Sequence, residues 1–374
     1  MIFPTRTQFR RRQPMKCPAI TVAPATIHID SLSAFSYSKV YRPVPMPGPE
    51  RRQAARPREH PLLSSTVIYT HPICLEHDTG EFHPECADRL RAIGHILDRE
   101  EFMYVPREEA PKATLAQILR AHTQDHYDQV MDSIPAEGSV ELDGDTFVSP
   151  RSGEAALHSA GAAIAAVDEV ATGRSRNAFC ATRPPGHHAE RNAIMGFCLF
   201  SNAAIAALHA RDQHGFKRVA VVDFDVHHGN GTQDVLWNEP GTFYASSHQD
   251  DAFPYTGKVE EVGPPGGCTV VNVPLPAGTA SDVFRAAYTD IILPKLEAFA
   301  PDFLIISAGF DAHAADPMAH LRLQVADFEW LTQKLLGIAR THAQRRVVSV
   351  LEGGYETRAL AACVAAHLRV LMEG

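Results

Sequence analysis

The sequence of 374 residues lacks several features that would assign it to a common class of protein. It has no run of eighteen or more apolar residues, which excludes a conventional membrane-spanning helix. Its seven cysteines include no Cys-x-x-Cys pair, so neither a disulfide framework nor a thiolate zinc site is predicted, and a reducing compartment is favoured. No P-loop and no strand-terminal Gly-x-Gly-x-x-Gly fingerprint occurs, which argues against a nucleotide-binding protein.

Positive charge is scarce outside the first part of the chain. Residues 1–60 contain eleven Lys and Arg against three Asp and Glu, whereas the remainder carries a formal charge of −17 within a total of −9. An acidic body does not attract phosphate backbones, so we expect no direct nucleic-acid partner and a preference for cationic substrates. The first segment is also rich in proline and has no sustained periodicity. We therefore predict a disordered basic arm over residues 1–64 and one folded domain over residues 65–374.

The role of this arm has two interpretations. It has no acidic residue before Asp30, as in a transit peptide, but an overextended reading frame with a start at Met15 or Met46 explains it equally well. We favour a cytoplasmic protein without membrane association, with organelle import by the arm as the alternative. Assembly into a homo-oligomer is left open.

Four short apolar stretches have the composition of buried parallel strands. They are rich in Val, Ile and Phe and end at Gly, Pro or Asp: NAFCATR, RVAVVDFD, DFLIISAGFD and RVVSVLEGG. Helical patterns alternate with them, for example SGEAALHSAGAAIAAVDEVATG, which Gly173 would stop, and SDVFRAAYTDIILPKLEAFA, with Ser281 as N-cap. This alternation predicts a single-domain, doubly wound α/β fold with a mostly parallel sheet and helices on both faces.

Polar clusters follow all four predicted strands, namely RPPGHH, DFDVHHGN, GFDAHAADP and EGGYE. Because the carboxyl ends of parallel strands form the ligand crevice, we expect the clusters to converge. Asp225 and His227 are two residues apart, so in an extended segment both side chains leave the same face, and Asp311 can supply a third metal ligand. Three protein ligands leave a position for water, which is typical of catalytic zinc.

The other members of these clusters suit hydrolytic chemistry. His187 and His188 offer imidazoles for proton transfer, and Tyr355, after Gly353 and Gly354, offers a phenol to an oxyanion. Each motif alone is weak, since an Asp-x-His triplet usually belongs to a loop and a Gly-Gly-Tyr turn is usually only a turn. Their joint occurrence at four strand ends is what predicts an active site.

These motifs resemble the zinc-dependent histone deacetylase superfamily, and most closely its class II and bacterial histone-deacetylase-like amidohydrolases. The resemblance runs from about Thr66 to the C-terminus and rests on seven blocks in the family's order: HDTGEFHPECADRL, RPPGHHAERNAIMGFCLFSN, VVDFDVHHGNGTQ, FPYTG, NVPLPAG, GFDAH and LEGGY. It implies an arginase/deacetylase-like fold. It also implies the roles already assigned above, with one zinc ion held by two carboxylates and an imidazole, a tandem general acid–base pair, and a tyrosine that polarises the carbonyl.

The resemblance implies further site residues that spacing alone does not identify. Phe197, Phe253 and Gly196 are expected to line a tunnel for the acylated amine. A structural K+ ion is expected beneath the zinc, held by a set that includes backbone carbonyls: Asp223, Asp225, His227, Ser246 and Ser247.

Asn230 marks a difference between branches of this family. It follows His-His-Gly, where class I members carry aspartate, and together with Asp223 it is expected to support the histidine pair. An amide can orient an imidazole by a hydrogen bond but cannot neutralise an imidazolium. Tyr355 is not replaced by histidine, as it is in the weakly active class IIa branch, so efficient catalysis is expected.

We therefore expect a zinc-dependent amide hydrolase that removes acetyl or related acyl groups from amines, with acetyl-lysine of proteins or peptides as the favoured substrate. An acetylpolyamine amidohydrolase is the alternative, because four carboxylates could form an acidic rim: Asp143, Asp145, Asp250 and Asp251. A non-catalytic acyl-lysine-binding module of the same fold is more remote, since no ligand and no catalytic residue is missing.

Other histidines receive no catalytic role. His122 and His126 have helical spacing but no third ligand nearby, and we expect them on an exposed helix face. His313 and Asp316 follow the third metal ligand and are expected only to shape their loop.

Overall fold

The fold is known from a computed structural model that describes residues 64–374. The predicted arm over residues 1–64 lies, except for its last residue, outside the described residues. All described residues belong to one contact unit, Glu59–Gly374. Within this part of the chain, no helix is long and apolar enough to cross a membrane.

Ten strands lie within the described residues, eight of them in one sheet. They are β1 (Ser64–Thr70), β2 (Arg107–Glu109), β3 (Val140–Glu141), β4 (Phe147–Val148), β5 (Ser175–Cys180), β6 (Val219–Asp223), β7 (Thr242–Gln249), β8 (Thr269–Leu275), β9 (Phe303–Ala308) and β10 (Val347–Leu351). The sheet has the order β2-β1-β5-β10-β9-β6-β7-β8, and all of its strand pairs are parallel. β3 and β4 form a separate antiparallel pair.

Ten α-helices also lie within the described part of the chain. They are α1 (Ala87–Leu97), α2 (Leu115–Ile118), α3 (Gln124–Asp132), α4 (Ser152–Ala171), α5 (Asn202–His214), α6 (Asn230–Leu236), α7 (Ser281–Ala287), α8 (Leu293–Phe299), α9 (Val325–His342) and α10 (Thr357–Glu373). Side chains of α1, α9 and α10 form one hydrophobic core with one face of the sheet, and those of α4 and α5 form a second core with the other face. The predicted doubly wound α/β fold is confirmed.

The four strands predicted from sequence occupy the middle of the sheet as β5, β10, β9 and β6. Every residue of β6, β9 and β10 is buried, as expected for strands covered by helices on both faces. Since these four strands are adjacent and parallel, the polar segments that follow them leave the sheet at the same edge.

One detail of the helix prediction is wrong. Ala280, not Ser281, is the N-cap of α7, and the Ser281 hydroxyl instead donates to the buried Asp327 carboxylate at 2.6 Å. The pattern predicted as one helix is also interrupted by a π-helical turn, Tyr288–Ile292, before α8 begins. Pro294 is the second residue of α8, in its first turn, where a residue without an N–H is tolerated.

Candidate active site

Three side chains from two neighbouring strands form a compact cluster at this edge. Asp225 and His227 follow β6, and Asp311 follows the adjacent β9. His227 Nδ1 lies 3.1 Å from Asp225 Oδ1 and 3.1 Å from Asp311 Oδ2, and the three residues are almost fully buried. Their potential ligand atoms lie within 4.8 Å of one another, so the chain brings together a donor set that one metal ion can share.

Backbone amides hold the two carboxylates in this arrangement. Val226 N donates to Asp311 Oδ1 at 2.8 Å, and Gly353 N donates to Asp225 Oδ2 at 2.8 Å. Each carboxylate therefore has one oxygen bound by an amide of another segment. The other oxygen faces His227, whose own N also donates to Asp225 Oδ1 at 2.9 Å. Such supporting bonds orient ligands and raise metal affinity.

Two glycines leave room for this cluster. A Cβ atom on Gly309 would lie 2.0 Å from Asp225 Oδ2, and one on Gly353 would lie 2.2 Å from Asp311 Oδ2. Neither position can carry a side chain without moving a carboxylate. The close approach of backbone, the burial and the mixed carboxylate–imidazole donors all fit a zinc ion with a free coordination position.

Electrostatics also indicate a cation at this place. Burial raises the pKa of Asp311 to about 7, with a further contribution from the Asp225 carboxylate. Burial would also raise the pKa of Asp225, but the charges of His187 and His227 outweigh it and hold that pKa well below its ordinary value. Two buried carboxylates this close together need positive charge between them.

The tandem histidines have different partners. His187 Nδ1 lies 3.1 Å from Asp223 Oδ2, and His188 Nδ1 lies 2.8 Å from Asn230 Oδ1. Asn230 Nδ2 donates to Glu190 Oε1, so the Asn230 oxygen must face His188 and accept its Nδ1–H. Both imidazoles therefore direct Nε2 away from these partners, and the two ring centroids are 4.0 Å apart.

These partners separate the pKa values of the pair. Burial lowers the pKa of His187, but the Asp225 and Asp223 carboxylates outweigh it and raise the pKa to about 10. Burial lowers the pKa of His188 well below its ordinary value, and the neighbouring His187 lowers it further. The surrounding carboxylates therefore stabilise the cationic form of His187, whereas burial favours the neutral form of His188.

A cavity of about 380 Å³ opens above the cluster, with His188, His227 and Tyr355 among its lining residues. Phe197 and Phe253 form its walls: Phe197 stands edge-on to the Tyr355 ring at 5.9 Å, and Phe253 stands edge-on to His188 at 5.0 Å. The walls predicted from sequence are thus brought to one tunnel.

Gly196 leaves room for the aromatic rings that line this cavity. A Cβ atom there would lie 2.5 Å from the His188 ring and 2.9 Å from the Phe253 ring, and its φ of +57° also favours glycine. The half-buried Asp145 and the exposed Asp251 line the same cavity, together with Met318 and His320. Two of the four predicted rim carboxylates are therefore found among its lining residues.

The residues predicted to hold K+ lie directly behind the histidine pair. Asp223 is fully buried, and its Oδ2 accepts from Tyr244 at 3.2 Å as well as facing His187. The Ser246 hydroxyl lies 2.9 Å from His248 Nδ1. The Ser247 hydroxyl instead lies 2.9 Å from the Tyr288 hydroxyl, on the other face of β7, so Ser247 could contribute only its backbone carbonyl.

Sequence reasoning missed a buried charge network behind Tyr355. Glu85 pairs with both Arg89 and Arg183, and all three are fully buried. Arg89 in turn donates to the carbonyls of Gly354, at 2.6 Å, and Glu352. Arg89 follows Glu85 by only four residues, but Arg183 is 98 positions from Glu85 and Gly354 is 265 positions from Arg89, so sequence spacing does not reveal this network.

Glu352 was also missed, although it lies within the LEGGY block. Its Oε2 accepts from Gly186 N at 2.7 Å and from His187 N at 3.1 Å, while its Oε1 accepts from the Ser307 hydroxyl at 2.7 Å. This carboxylate therefore ties the end of β10 to the segment that carries the histidine pair.

The prediction that His122 and His126 lie on an exposed helix face is wrong. Both are buried, and their rings stack at 4.3 Å. Helix α3 begins only at Gln124, and the imidazoles bind backbone groups of Glu190, Ser201 and Leu199. They support the segment between the histidine pair and α5.

A second cluster of metal-binding residue types lies between α4 and α5. Asp168 Oδ1 lies 2.7 Å from His209 Nε2 and 2.6 Å from His214 Nε2. The Arg120 guanidinium donates to His209 Nδ1, so the proton of that ring must be on Nε2, where it donates to Asp168. This arrangement is one of hydrogen bonds rather than of metal ligands.

Comparison with known proteins identifies the family. The model of the histone deacetylase domain matches residues 83–371, which include every member of the metal and histidine clusters. The chain belongs to the histone deacetylase family. The resemblance predicted from the seven blocks is confirmed.

Individual relatives agree with this assignment. The chain is 36% identical over 330 residues to a chloroplastic histone deacetylase 14 of Arabidopsis thaliana, covering 83% of this chain and 78% of that one. It is 39% identical over 277 residues to a histone deacetylase-like amidohydrolase of Pseudomonas aeruginosa, covering 73% and 72%. The crystal structure of the HDA15 HD domain superposes with a TM-score of 0.77 at 35% identity, covering 83% and 90%.

Proposed function

We propose that this protein is a zinc-dependent deacetylase that hydrolyses the amide of acetyl-lysine in proteins or peptides. The observation that carries the proposal is the buried cluster of Asp225, His227 and Asp311, whose His227 lines an aromatic-walled cavity together with His188 and Tyr355. A bound zinc ion would supply Lewis-acid activation of water and of the acyl carbonyl. Everything else in the reaction is left to the protein's own side chains.

His188 is the proposed general base. It lines the cavity, its Nδ1–H is held by Asn230, and its Nε2 is free to accept a proton. The lowered pKa of this buried imidazole keeps it neutral, as a base must be. His187, which Asp223 and Asp225 stabilise as a cation, adds positive charge beside it and supports proton delivery to the departing amine.

Tyr355 is the proposed donor to the carbonyl oxygen as negative charge develops there. Its phenol lines the cavity, and burial raises its pKa well above the ordinary value, so it remains protonated and able to donate. Phe197 and Phe253 would hold the aliphatic chain of the substrate between their rings and exclude water from the reaction.

A second substrate class, acetylated polyamines, is supported by one observation. Asp145 and Asp251 line the opening of the cavity and could bind the secondary amines of such a substrate. A panel of acetyl-lysine peptides, acetylputrescine, acetylspermidine and longer acyl-lysines would separate the two classes. A kcat/KM at least tenfold higher for the polyamines would replace the primary proposal.

We also propose that a structural K+ ion helps to fix the segment that carries the metal ligands, with Asp223 as its buried carboxylate. Removing K+ should lower the thermal stability of the metal-loaded protein, and adding Na+ alone should not restore it fully. The cytoplasmic location and the homo-oligomer remain predictions. The relative from Arabidopsis thaliana, which is named chloroplastic, supports the alternative of organelle import by the arm.

Replacing Tyr355 by phenylalanine tests the chemistry directly. Tyr355→Phe deletes only the hydroxyl, so zinc content and hydroxamate binding should persist while kcat falls by roughly 10² to 10³. Tyr104→Phe is the matched control, because Tyr104 is exposed and lies outside the cavity lining. Loss of its hydroxyl should leave kcat unchanged. An unaltered rate in Tyr355→Phe would reject this role and favour a module that only binds acyl-lysine.

A further inference from the structure

Asp316 connects two segments that meet at the cavity. It lies in the loop after the third metal ligand and is 7% exposed. Its Oδ2 accepts from Tyr355 N at 2.7 Å and from Glu356 N at 3.0 Å, and its Oδ1 accepts from Met318 N at 3.1 Å. One carboxylate thus receives three backbone amides, two from the turn that carries Tyr355 and one from its own loop.

The turn before Tyr355 needs such an anchor. Gly353 and Gly354 precede the tyrosine, and Gly354 has a φ of +121°, a conformation that residues with side chains rarely adopt. Helix α10 begins at Thr357, and the Glu356 side chain caps it by accepting from Ala359 N. Tyr355 therefore lies between a glycine pair and a helix start, and the bonds to Asp316 fix the backbone amide from which its side chain extends.

The same carboxylate also fixes one wall of the cavity. Met318, Ala319 and His320 line the cavity together with Tyr355. His320 N donates to Gln249 Oε1 at 2.6 Å, which holds the far end of this segment, whereas Met318 N donates to Asp316 at its near end. The distance between this wall and the Tyr355 turn is consequently set through Asp316.

We infer that Asp316 is a positioning residue, which holds the Tyr355 hydroxyl at the height of the acyl carbonyl by tying its backbone to the cavity wall. The inference rests on the proposed function, since it takes Tyr355 to be the donor to the carbonyl oxygen. It assigns Asp316 a part in the reaction that goes beyond shaping its loop.

A double-mutant cycle with Tyr355 tests this inference. Asp316→Asn keeps the size of the side chain but has only one acceptor oxygen, so it cannot serve both segments. In the otherwise unchanged enzyme, kcat should fall about tenfold with a smaller change in KM, because small displacements of a catalytic group are costly. In the Tyr355→Phe background, the same substitution should lower kcat by less than about twofold.

Asp327→Asn is the matched control. Asp327 is also fully buried and also accepts a backbone amide, from Gln324 at 2.9 Å, but it belongs to the start of α9 and lines no part of the cavity described above. Its substitution should lower the melting temperature and leave kcat per zinc-loaded molecule unchanged. If Asp316→Asn does not fold, Asp316→Glu replaces it, since this variant keeps the charge on a longer side chain. Its effect on kcat is then compared with and without the Tyr355 hydroxyl in the same way.

Each result decides between alternatives. A kcat loss that is equally large with and without the Tyr355 hydroxyl would overturn the inference, and so would an equal kcat loss in Asp327→Asn. A normal rate in Tyr355→Phe alone would instead reject the proposed role of Tyr355 itself. Coupling confined to Asp316 and Tyr355, with hydroxamate binding retained, supports the inference.

Discussion

Two clusters of aspartate and histidine in this protein look alike in composition but differ in what surrounds them. Asp225, His227 and Asp311 are buried at the centre of the sheet edge, whereas Asp168, His209 and His214 join α4 to α5 nearer the surface. In the central cluster the imidazole lies 3.1 Å from each carboxylate, and in the outer cluster the two imidazoles lie 2.6 and 2.7 Å from one carboxylate oxygen.

The neighbours of each cluster explain the difference. In the central cluster, Val226 N and Gly353 N each donate to one of the two carboxylates, and glycines at positions 309 and 353 leave space beside them. In the outer cluster Arg120 forces a proton onto the nitrogen of His209 that a metal would need. Proximity of ligand residue types is therefore a weak criterion for a metal site, and the tautomer set by the next neighbour is a stronger one.

The largest effect should come from removing a central carboxylate. Asp311→Asn replaces a charged ligand by a neutral amide, so zinc content and deacetylase activity should fall together, the activity by at least about 100-fold. Asp168→Asn should leave one zinc per chain. The zinc content of both purified variants checks this prediction. A second zinc ion that is lost in Asp168→Asn would show that the outer cluster also binds metal.

The glycine beside the central cluster offers a second test. In Gly353→Ala the new Cβ would lie 2.2 Å from Asp311 Oδ2 and 2.5 Å from Asp225 Oδ2, so a carboxylate must move. We expect zinc affinity to fall by about 10- to 100-fold in a chelator competition. Gly337→Ala, whose added Cβ meets nothing within 4 Å, is the control and should be neutral or stabilising by about 0.5–1 kcal/mol.

The tandem histidines also differ in their neighbours. The side-chain amide of Asn230 faces His188, whereas the Asp223 carboxylate faces His187. Asn230→Asp would place a negative charge 2.8 Å from the His188 ring and raise its pKa. A base works when neutral, so activity rises with pH through this pKa, and the acid limb of the kcat/KM profile should move up by about one pH unit. An acid limb that stays in place would show that His188 is not the base.

The smallest effect is expected in the outer cluster. Burial raises the pKa of Asp168, but the hydrogen bonds from His209 and His214 outweigh it and hold the pKa below its ordinary value. A lowered carboxyl pKa contributes stability at neutral pH that is lost as the pH falls through the folded-state pKa. Asp168→Asn should therefore cost about 1 kcal/mol or less, since the pair is partly exposed. The loss of stability in Asp168→Asn, measured by thermal unfolding, should become smaller at acid pH.

How much the sequence predicts depends on the distance between partners along the chain. The central strands and the close approach of Asp225, His227 and Asp311 were predictable, because apolar runs and the polar residues after them are local patterns. β7 was missed, since its eight buried residues include serine, histidine and glutamine, which do not form an apolar run. β2 was missed because its three residues are exposed and charged.

The supporting residues were harder to predict for the same reason. Asp316 contacts Tyr355 from 39 positions away, and Glu85 meets Arg183 from 98 positions away. A carboxylate in a loop gives no sign of which distant amide or guanidinium it will bind. Only the tertiary structure distinguishes Asp316, which receives three amides, from Asp250, which is exposed at the neighbouring turn.

The central place of the four strands that precede the site residues also has a consequence for dynamics. Strands with neighbours on both sides and helices on both faces open only when the whole domain opens, whereas edge strands fray at lower cost. Amide protons of β6 and β9 should accordingly exchange with deuterium only through global unfolding, and those of β2 and β8 through local events. The strand ends that carry the site residues therefore belong to the part of the sheet that opens last.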